Sequence, residues 1–95
     1  MYSSEKYLKI LKVIALYNNM NDENIIKLLK DRDNKYLLLL FLKNYKCMDK
    51  EKIKEIFNYK NTNSINYNVK KAEEKFLINK DFREKYFEIE ESLLK

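Results

Sequence analysis

The sequence predicts an all-α protein, a compact six-helix bundle that forms a single domain over residues 1–95. Apolar residues recur at steps of three and four along most of the chain, which is the spacing of amphipathic helices. Glycine and proline are both absent, whereas strand-rich folds usually need glycine at tight corners. Asn and Asp cluster between the periodic segments, where their tolerance of turn conformations suits connections between helices. A hydrophobic content of 45% is enough for a real core.

The first two helices are expected to pair as an N-terminal hairpin over residues 1–34. Helix 1 should begin at Ser3 or Ser4 and bury one stripe of residues: Tyr7, Ile10, Leu11, Ile14 and Tyr17. Asn21 or Asp22 should cap helix 2, because their side-chain oxygens can accept hydrogen bonds from the free N–H groups of the first turn. The expected buried residues of helix 2 are Ile25, Ile26, Leu28 and Leu29.

Helix 3 is expected at about residues 35–45, after a polar break at residues 31–34. Its centre, Tyr36–Leu42, is apolar on every side, and such a segment is either a strand or a helix that is buried all round. Leucine richness and the absence of β-branched residues favour the helix. We expect it to be the central element, with helices 1 and 2 on one side and helices 4 and 5 on the other. In the alternative, some of its leucines are exposed and form a protein interface.

The next two helices, at about residues 50–58 and 62–79, have the spacing of a helix-turn-helix. Asp49 can cap helix 4, and Asn61 or Thr62 can cap helix 5. The expected buried stripes are Ile53, Ile56 and Phe57 on helix 4, and Ile65, Val69, Ala72 and Phe76 on helix 5. A short helix, a turn and a second helix that begins with amide side chains are typical of the helix-turn-helix, whose second helix reads DNA.

Helix 6 should follow a break at residues 79–81 and begin at Asp81 or Phe82. Its expected buried stripe is Phe82, Tyr86, Ile89 and Leu93. Charge divides unevenly along the chain: residues 1–71 carry 15 basic and 8 acidic side chains, a balance of +7, and residues 72–95 carry 5 and 7, a balance of −2. A basic body beside an acidic end suits a polyanionic partner on one side. A solvated, lysine-rich surface would give the same numbers.

Residues 35–95 present a series of features in one order: an apolar helix at Tyr36–Leu42, a capping Asp49, apolar anchors at Ile53 and Phe57, a polar loop and a basic helix. This series resembles the C-terminal DNA-binding domain of the bacterial chromosomal replication initiator DnaA, and equally the related helix-turn-helix of some transposase-like proteins. The resemblance implies a helix-turn-helix unit over residues 35–95. It also implies binding of double-stranded DNA through the major groove, in replication or transcription control.

The loop departs from the family pattern. Asn58 and Tyr59 stand where the family has two glycines, and Asn61, Thr62 and Asn63 replace its base-reading Asp-His-Thr trio. The resemblance therefore implies the fold more strongly than it implies a DNA sequence preference.

Nine residues in and after this loop are the candidate DNA-binding residues: Lys60, Asn61, Thr62, Asn63, Ser64, Asn66, Tyr67, Lys70 and Lys71. Asn63 and Asn66 could each form a bidentate pair of hydrogen bonds with an adenine edge. Thr62 and Ser64 could meet phosphates or a thymine methyl group, and Tyr67 could pack on the backbone or reach a base.

Lysines near the same face supply the charge. Lys60, Lys70 and Lys71 would neutralise phosphates, as would the lysines of helix 4. Two plainer explanations stay open at this point. The asparagines could reflect composition alone, and Lys70 and Lys71 could solvate a helix face and pair with Glu73 and Glu74.

The composition argues against several other classes of protein. With no histidine and one cysteine, Cys47, the chain lacks the usual metal ligands and an intrachain disulfide, so we expect a cytoplasmic protein with no metal or cofactor. We find no set of residues that fits a catalytic site, and we expect no enzyme. The longest apolar run is too short to span a bilayer, and the N-terminus lacks a signal-peptide pattern, so we expect no membrane partner.

The alternative to DNA binding is a helical protein–protein interaction module. In this hypothesis a degenerate helix-turn-helix serves as an adaptor or as the interface of a homodimer. Eight tyrosines and five phenylalanines would serve such a surface, since aromatic residues are enriched at protein interfaces.

Overall fold

The computed structural model describes residues 4–19 and 25–94, which form five helices of eight residues or more and one further helical turn. The elements are α1 (Ser4–Tyr17), α2 (Ile25–Leu28), α3 (Arg32–Asn44), α4 (Lys50–Phe57), α5 (Thr62–Ile78) and α6 (Lys80–Leu93). These described ranges contain no strand, so the prediction of an all-α fold is confirmed. A radius of gyration of 12.4 Å is typical of a compact domain of this size. No helix in the described ranges has both the length and the apolar character needed to cross a membrane.

Within the described residues, the predicted helix 2 corresponds to α2, a single turn of four residues. The residues expected to cap it, Asn21 and Asp22, lie outside the described residues, as does Ser3 at the expected start of helix 1. Leu28 and Leu29 are buried as expected. The side chains of Ile25 and Ile26 are outside the described set.

Polar side chains begin the later helices, as the sequence suggests, but two expected breaks were wrong. The carboxylate of Asp31 accepts a hydrogen bond from the Asn34 N–H and caps α3. Residues 32–34 are therefore the first turn of α3, and the boundary expected between residues 34 and 35 falls inside that helix. The break expected at residues 79–81 is one residue long, because Asn79 ends α5 and also caps α6 through the N–H of Phe82.

Four helices pack in a closed ring in the order α1, α3, α5, α6, while α4 packs on α5. The segment Leu37–Leu42 of α3 is buried on every side, which confirms the helix and contradicts the alternative of an exposed leucine interface. The ring of Phe41 stacks on that of Tyr86 with centroids 4.3 Å apart. The expected position of α3 against α1 and α5 is confirmed, but α4 reaches the bundle mainly through α5.

The side chains of Tyr17 and Asn34 form hydrogen bonds between helices that the pattern of apolar stripes does not predict. Tyr17 was expected on the buried face of helix 1, but it is exposed, and its hydroxyl donates to Glu88 of α6 at 2.8 Å. The buried Asn34 donates to the Leu28 carbonyl at 3.2 Å and accepts from the Asn18 side-chain amide at 3.1 Å. The side chain of Asn34 therefore joins the end of α1, the α2 turn and the start of α3.

Candidate nucleic-acid interface

The connection between α4 and α5 is a short turn of four residues, 58–61. Asn58 ends α4 in the left-handed conformation, with φ 56° and ψ 39°. The Asn58 N–H donates to the Glu55 carbonyl at 3.2 Å and the Tyr59 N–H donates to the Lys54 carbonyl at 2.9 Å, the two bonds of a Schellman motif. Asparagine suits this position because its short polar side chain lowers the cost of a left-handed backbone.

Apolar contacts hold this turn against the rest of the bundle. Ile53 of α4 and Ile65 of α5 are fully buried. The rings of Phe57 and Tyr59 meet edge to face with centroids 5.5 Å apart, and the Lys35 ammonium of α3 lies 5.9 Å from the centre of the Phe57 ring. Burial also raises the pKa of Tyr59. These contacts therefore hold the start of α5 in place on the bundle.

The nine candidate residues all lie in the turn or in the first ten residues of α5. Lys60, Asn63, Tyr67, Lys70 and Lys71 are exposed, as are Asn61 and Asn66, while Thr62 and Ser64 are half-buried. Helical spacing places Asn63, Tyr67 and Lys71 on the side of α5 away from the buried stripe that begins with Ile65, and Asn66 and Lys70 on the flank towards the end of α3. The structure thus brings the candidate residues together on one end of one helix.

Asn61 has a structural task that limits its use as a base reader. Its side-chain oxygen accepts a hydrogen bond from the Ser64 N–H at 3.2 Å and so caps α5. The expectation that Asn61 or Thr62 caps this helix is confirmed for Asn61. This bond holds the Asn61 side chain against the first turn of α5, whereas Asn63 and Asn66 are exposed amides that no such cap holds among the described residues.

The aromatic and basic side chains of the outer face touch one another. Tyr67 is 61% exposed, and the Lys71 ammonium lies 5.5 Å from the centre of its ring. Lys71 also forms an ion pair with Glu74 at 3.7 Å. This pair is half-exposed, so it offsets only part of the lysine charge.

Lys70 has more of its charge available than Lys71. Among the described residues, Lys60 and Lys70 form no ion pair, and Glu73 pairs with Lys43 of α3 at 2.6 Å. The expected pairing with Glu73 and Glu74 is therefore present for Lys71 and absent, among the described residues, for Lys70.

Residues outside the expected set extend the basic surface beside α5. A hollow of about 610 Å³ lies between α5, the end of α3 and the start of α4. Its rim includes Lys43, Lys50 and Lys70, and its floor is apolar. Sequence reasoning missed Lys43 because 27 positions separate it from Lys70, and no local pattern joins two residues so far apart.

The described residues offer little for other chemistry. No group of three or more acidic or cysteine side chains in this part of the chain could hold a metal ion. Cys47 is buried, and burial raises the pKa of its thiol, so the neutral form is favoured.

Comparison of the chain with known protein families, with curated proteins and with solved structures gives no match.

Proposed function

We propose that this chain is a helix-turn-helix protein that binds double-stranded DNA in replication or transcription control. In this proposal α4 and α5 are the two helices of the motif, and the single turn α2 counts as the sixth helix of the bundle. The observation that carries the proposal is the first half of α5, where exposed amide, tyrosine and lysine side chains follow a packed turn.

The backbone of the turn supports the resemblance to the DnaA C-terminal domain. Asn58 stands where that family has a glycine, and it adopts the left-handed conformation that glycine would accept most easily. The replacement of glycine by Asn58 therefore preserves the backbone conformation of this turn. Asn61, Thr62 and Asn63 stand in place of the family's base-reading trio, and Asn61 serves as a helix cap. This change therefore alters which bases the protein would recognise.

The major groove is wide enough to admit a helix such as α5. Asn63 and Asn66 would then read adenine edges, and each good bidentate pair is worth about 1–3 kcal/mol of discrimination. Lys60 and Lys70 would contact phosphates without first breaking an ion pair with a described residue. Tyr67 would pack on the sugar–phosphate backbone or against a base.

The first experiment is fluorescence anisotropy with random AT-rich and GC-rich duplexes at low and moderate salt. The proposal predicts binding that weakens steeply with salt, because each lysine–phosphate contact releases bound counterions. Stronger binding to the AT-rich duplex would support adenine reading by Asn63 and Asn66. Absence of binding to both duplexes at low salt would contradict the proposal.

A second candidate function is protein–protein interaction through an adaptor or homodimer surface. The observation that favours it is a pair of strongly exposed apolar residues at the end of α5, Leu77 at 75% and Ile78 at 83%. DNA binding by the other end of α5 does not explain why these two apolar side chains are exposed. A cytoplasmic location is part of both proposals and rests on the single cysteine, Cys47.

A further inference from the structure

A groove runs along the flank of α5 that faces the end of α3. It consists of two hollows that share Glu73 in their linings, with volumes of about 610 Å³ and about 270 Å³, and the ion pair between Glu73 and Lys43 joins α5 to α3 where the two adjoin. We call this surface the flank groove. Its lysine end is formed by Lys43, Lys50 and Lys70, and its apolar end by Leu40, Phe76 and Leu77.

The length of the flank groove follows from the helix that forms its side. Asn66 lines one end and Leu77 the other. Eleven steps along α5 at a rise of about 1.5 Å per residue give roughly 16 Å. This is the length of about three turns of helix, which is enough for a short amphipathic segment to place anchors at spacings of three and four residues.

The two ends of the groove differ in charge. Among the described residues, Lys50 and Lys70 form no ion pair, while Lys43 is paired with Glu73 at the junction. Beyond that junction, the described residues that line the apolar end are uncharged: Leu40, Asn44, Phe76 and Leu77. A ligand that complements both ends carries acidic groups at one end and apolar groups at the other.

The floor distinguishes a peptide from a simple polyanion. Met48, Ile65 and Val69 line the floor beneath the lysines, and a sugar–phosphate backbone needs charge rather than apolar contacts for its affinity. Methionine is common at surfaces that bind apolar side chains, because its flexible thioether adapts to different shapes. Leu77 extends the apolar contact and is 75% exposed in the free chain.

We propose that the flank groove binds an acidic amphipathic helix of a partner protein. The apolar side chains of that helix pack on Phe76, Leu77 and the floor, and its carboxylates lie beside Lys50 and Lys70. The interaction is of the helix-in-groove kind, with apolar anchors for affinity and a charged end for orientation.

The flank groove also provides a way to regulate the chain, and this consequence alone rests on the proposed DNA-binding function. Asn66 and Lys70 belong to both surfaces. A helix in the groove would cover both residues, so the partner and DNA would compete for the protein.

The test uses a fluorescein-labelled helical peptide with glutamates at one end and leucines at spacings of three and four residues. Two versions place the glutamates at either terminus, and a control peptide carries glutamine in place of glutamate. Binding to the whole chain is measured by fluorescence anisotropy, first without DNA. We expect one acidic version to bind and the glutamine peptide to bind roughly tenfold or more weakly.

Matched variants locate the binding surface. Leu77→Ser and Lys50→Glu should each weaken binding of the acidic peptide by roughly tenfold or more. Ile78→Ser and Lys52→Glu are the controls, because Ile78 is equally exposed but lines the other flank of α5, and Lys52 is exposed on α4 outside the groove. Lys50 is the first residue of α4, where a glutamate favours the helix, so this variant should fold.

Three results would overturn the proposal. The acidic peptides could fail to bind the wild-type chain, or the control variants could weaken binding as much as the groove variants. Sedimentation could instead show that the free chain self-associates and that Leu77→Ser makes it monomeric, in which case the occupant is a second copy. A chain that fails these tests but binds duplex DNA would leave the proposed function standing.

Discussion

Replacement of Lys70 and Lys71 by alanine is expected to abolish DNA binding and leave the fold intact. The side chains of Lys70 and Lys71 are exposed on the surface of α5, so their removal opens no cavity. The only ion pair lost among the described residues is that of Lys71 with Glu74, which is half-exposed and worth at most about 1 kcal/mol. Alanine also favours a helix more than lysine does.

The expected size of the effect follows from counterion release. Each phosphate contact contributes about 0.9 to the slope of log K against log salt concentration. If a contact is worth nothing at about 1 M salt, it is worth roughly 1.6 kcal/mol at about 50 mM. Two contacts then amount to a loss of roughly 200-fold at about 50 mM and roughly 20-fold at about 200 mM. Non-specific Kd values are only about 10⁻⁴ to 10⁻⁶ M at physiological salt, so a roughly 20-fold loss moves the Kd to about 10⁻³ to 10⁻⁵ M, where a titration with micromolar protein shows little binding.

The two lysines should not contribute equally. Lys70 has no ion pair among the described residues, whereas Lys71 is shared with Glu74 and with the Tyr67 ring. Lys70→Ala alone should therefore reduce the salt slope by about 0.9. Lys71→Ala should remove a partly neutralised charge but also leave Glu74 unpaired beside the phosphates.

The assay is fluorescence anisotropy over a range of salt concentrations, with circular dichroism to check the fold. The control is Lys12→Ala with Lys80→Ala, which lowers the net charge equally but changes exposed lysines of α1 and α6. The control should bind DNA almost as the wild type does. If the Lys70 and Lys71 double variant keeps its affinity and salt slope, or if the control loses as much, α5 is not the element that contacts DNA.

Three predictions concern stability. Lys46 is held in the left-handed conformation at φ 57°, so Lys46→Gly should stabilise the chain by about 1 kcal/mol in urea unfolding, whereas Lys60→Gly should not. Asn34→Leu should destabilise it by about 1–3 kcal/mol, because the Leu28 carbonyl would lose its buried donor. Burial and the hydrogen bond to Glu90 raise the pKa of Tyr45 to about 12 from an ordinary value of 10.0. The folded chain thus keeps this proton longer than the unfolded chain, so stability should be complete below about pH 10 and fall as the pH rises through about 12.

Each of the three stability predictions could be contradicted by one result. Equal or lower stability of Lys46→Gly would mean that the left-handed backbone there costs nothing. Unchanged unfolding of Asn34→Leu would show that the buried amide adds no net stability. For the tyrosine, thermal unfolding of Tyr45→Phe should depend less on alkaline pH than that of the wild type, and an identical pH profile would reject the assignment. Tyr59 and Tyr86, whose pKa values burial raises, and Tyr17, whose pKa its hydrogen bond to Glu88 raises, should contribute to the remaining dependence.

Sequence reasoning succeeded where the physical cause is local. The cap at Asp49 was recognised, and that of α5 was narrowed to Asn61 or Thr62, because a side-chain oxygen acts on N–H groups two or three residues away. The buried helix at Leu37–Leu42 was recognised because an apolar residue on every side leaves no face for solvent. The prediction of a polar break at residues 31–34 was wrong because Asp, Arg and Asn occur in the capped first turn of a helix as well as in a loop.

The sequence by itself determined the five longer helices, most of their buried faces and the concentration of amide and basic side chains at the start of α5. Only the tertiary structure decided that α5 lies against the end of α3, where Lys43 takes Glu73 as its partner and leaves Lys70 unpaired among the described residues. The same packing formed the flank groove from three helices. Periodicity determines which side of a helix is buried, but the element that covers that side depends on contacts between residues far apart in the chain.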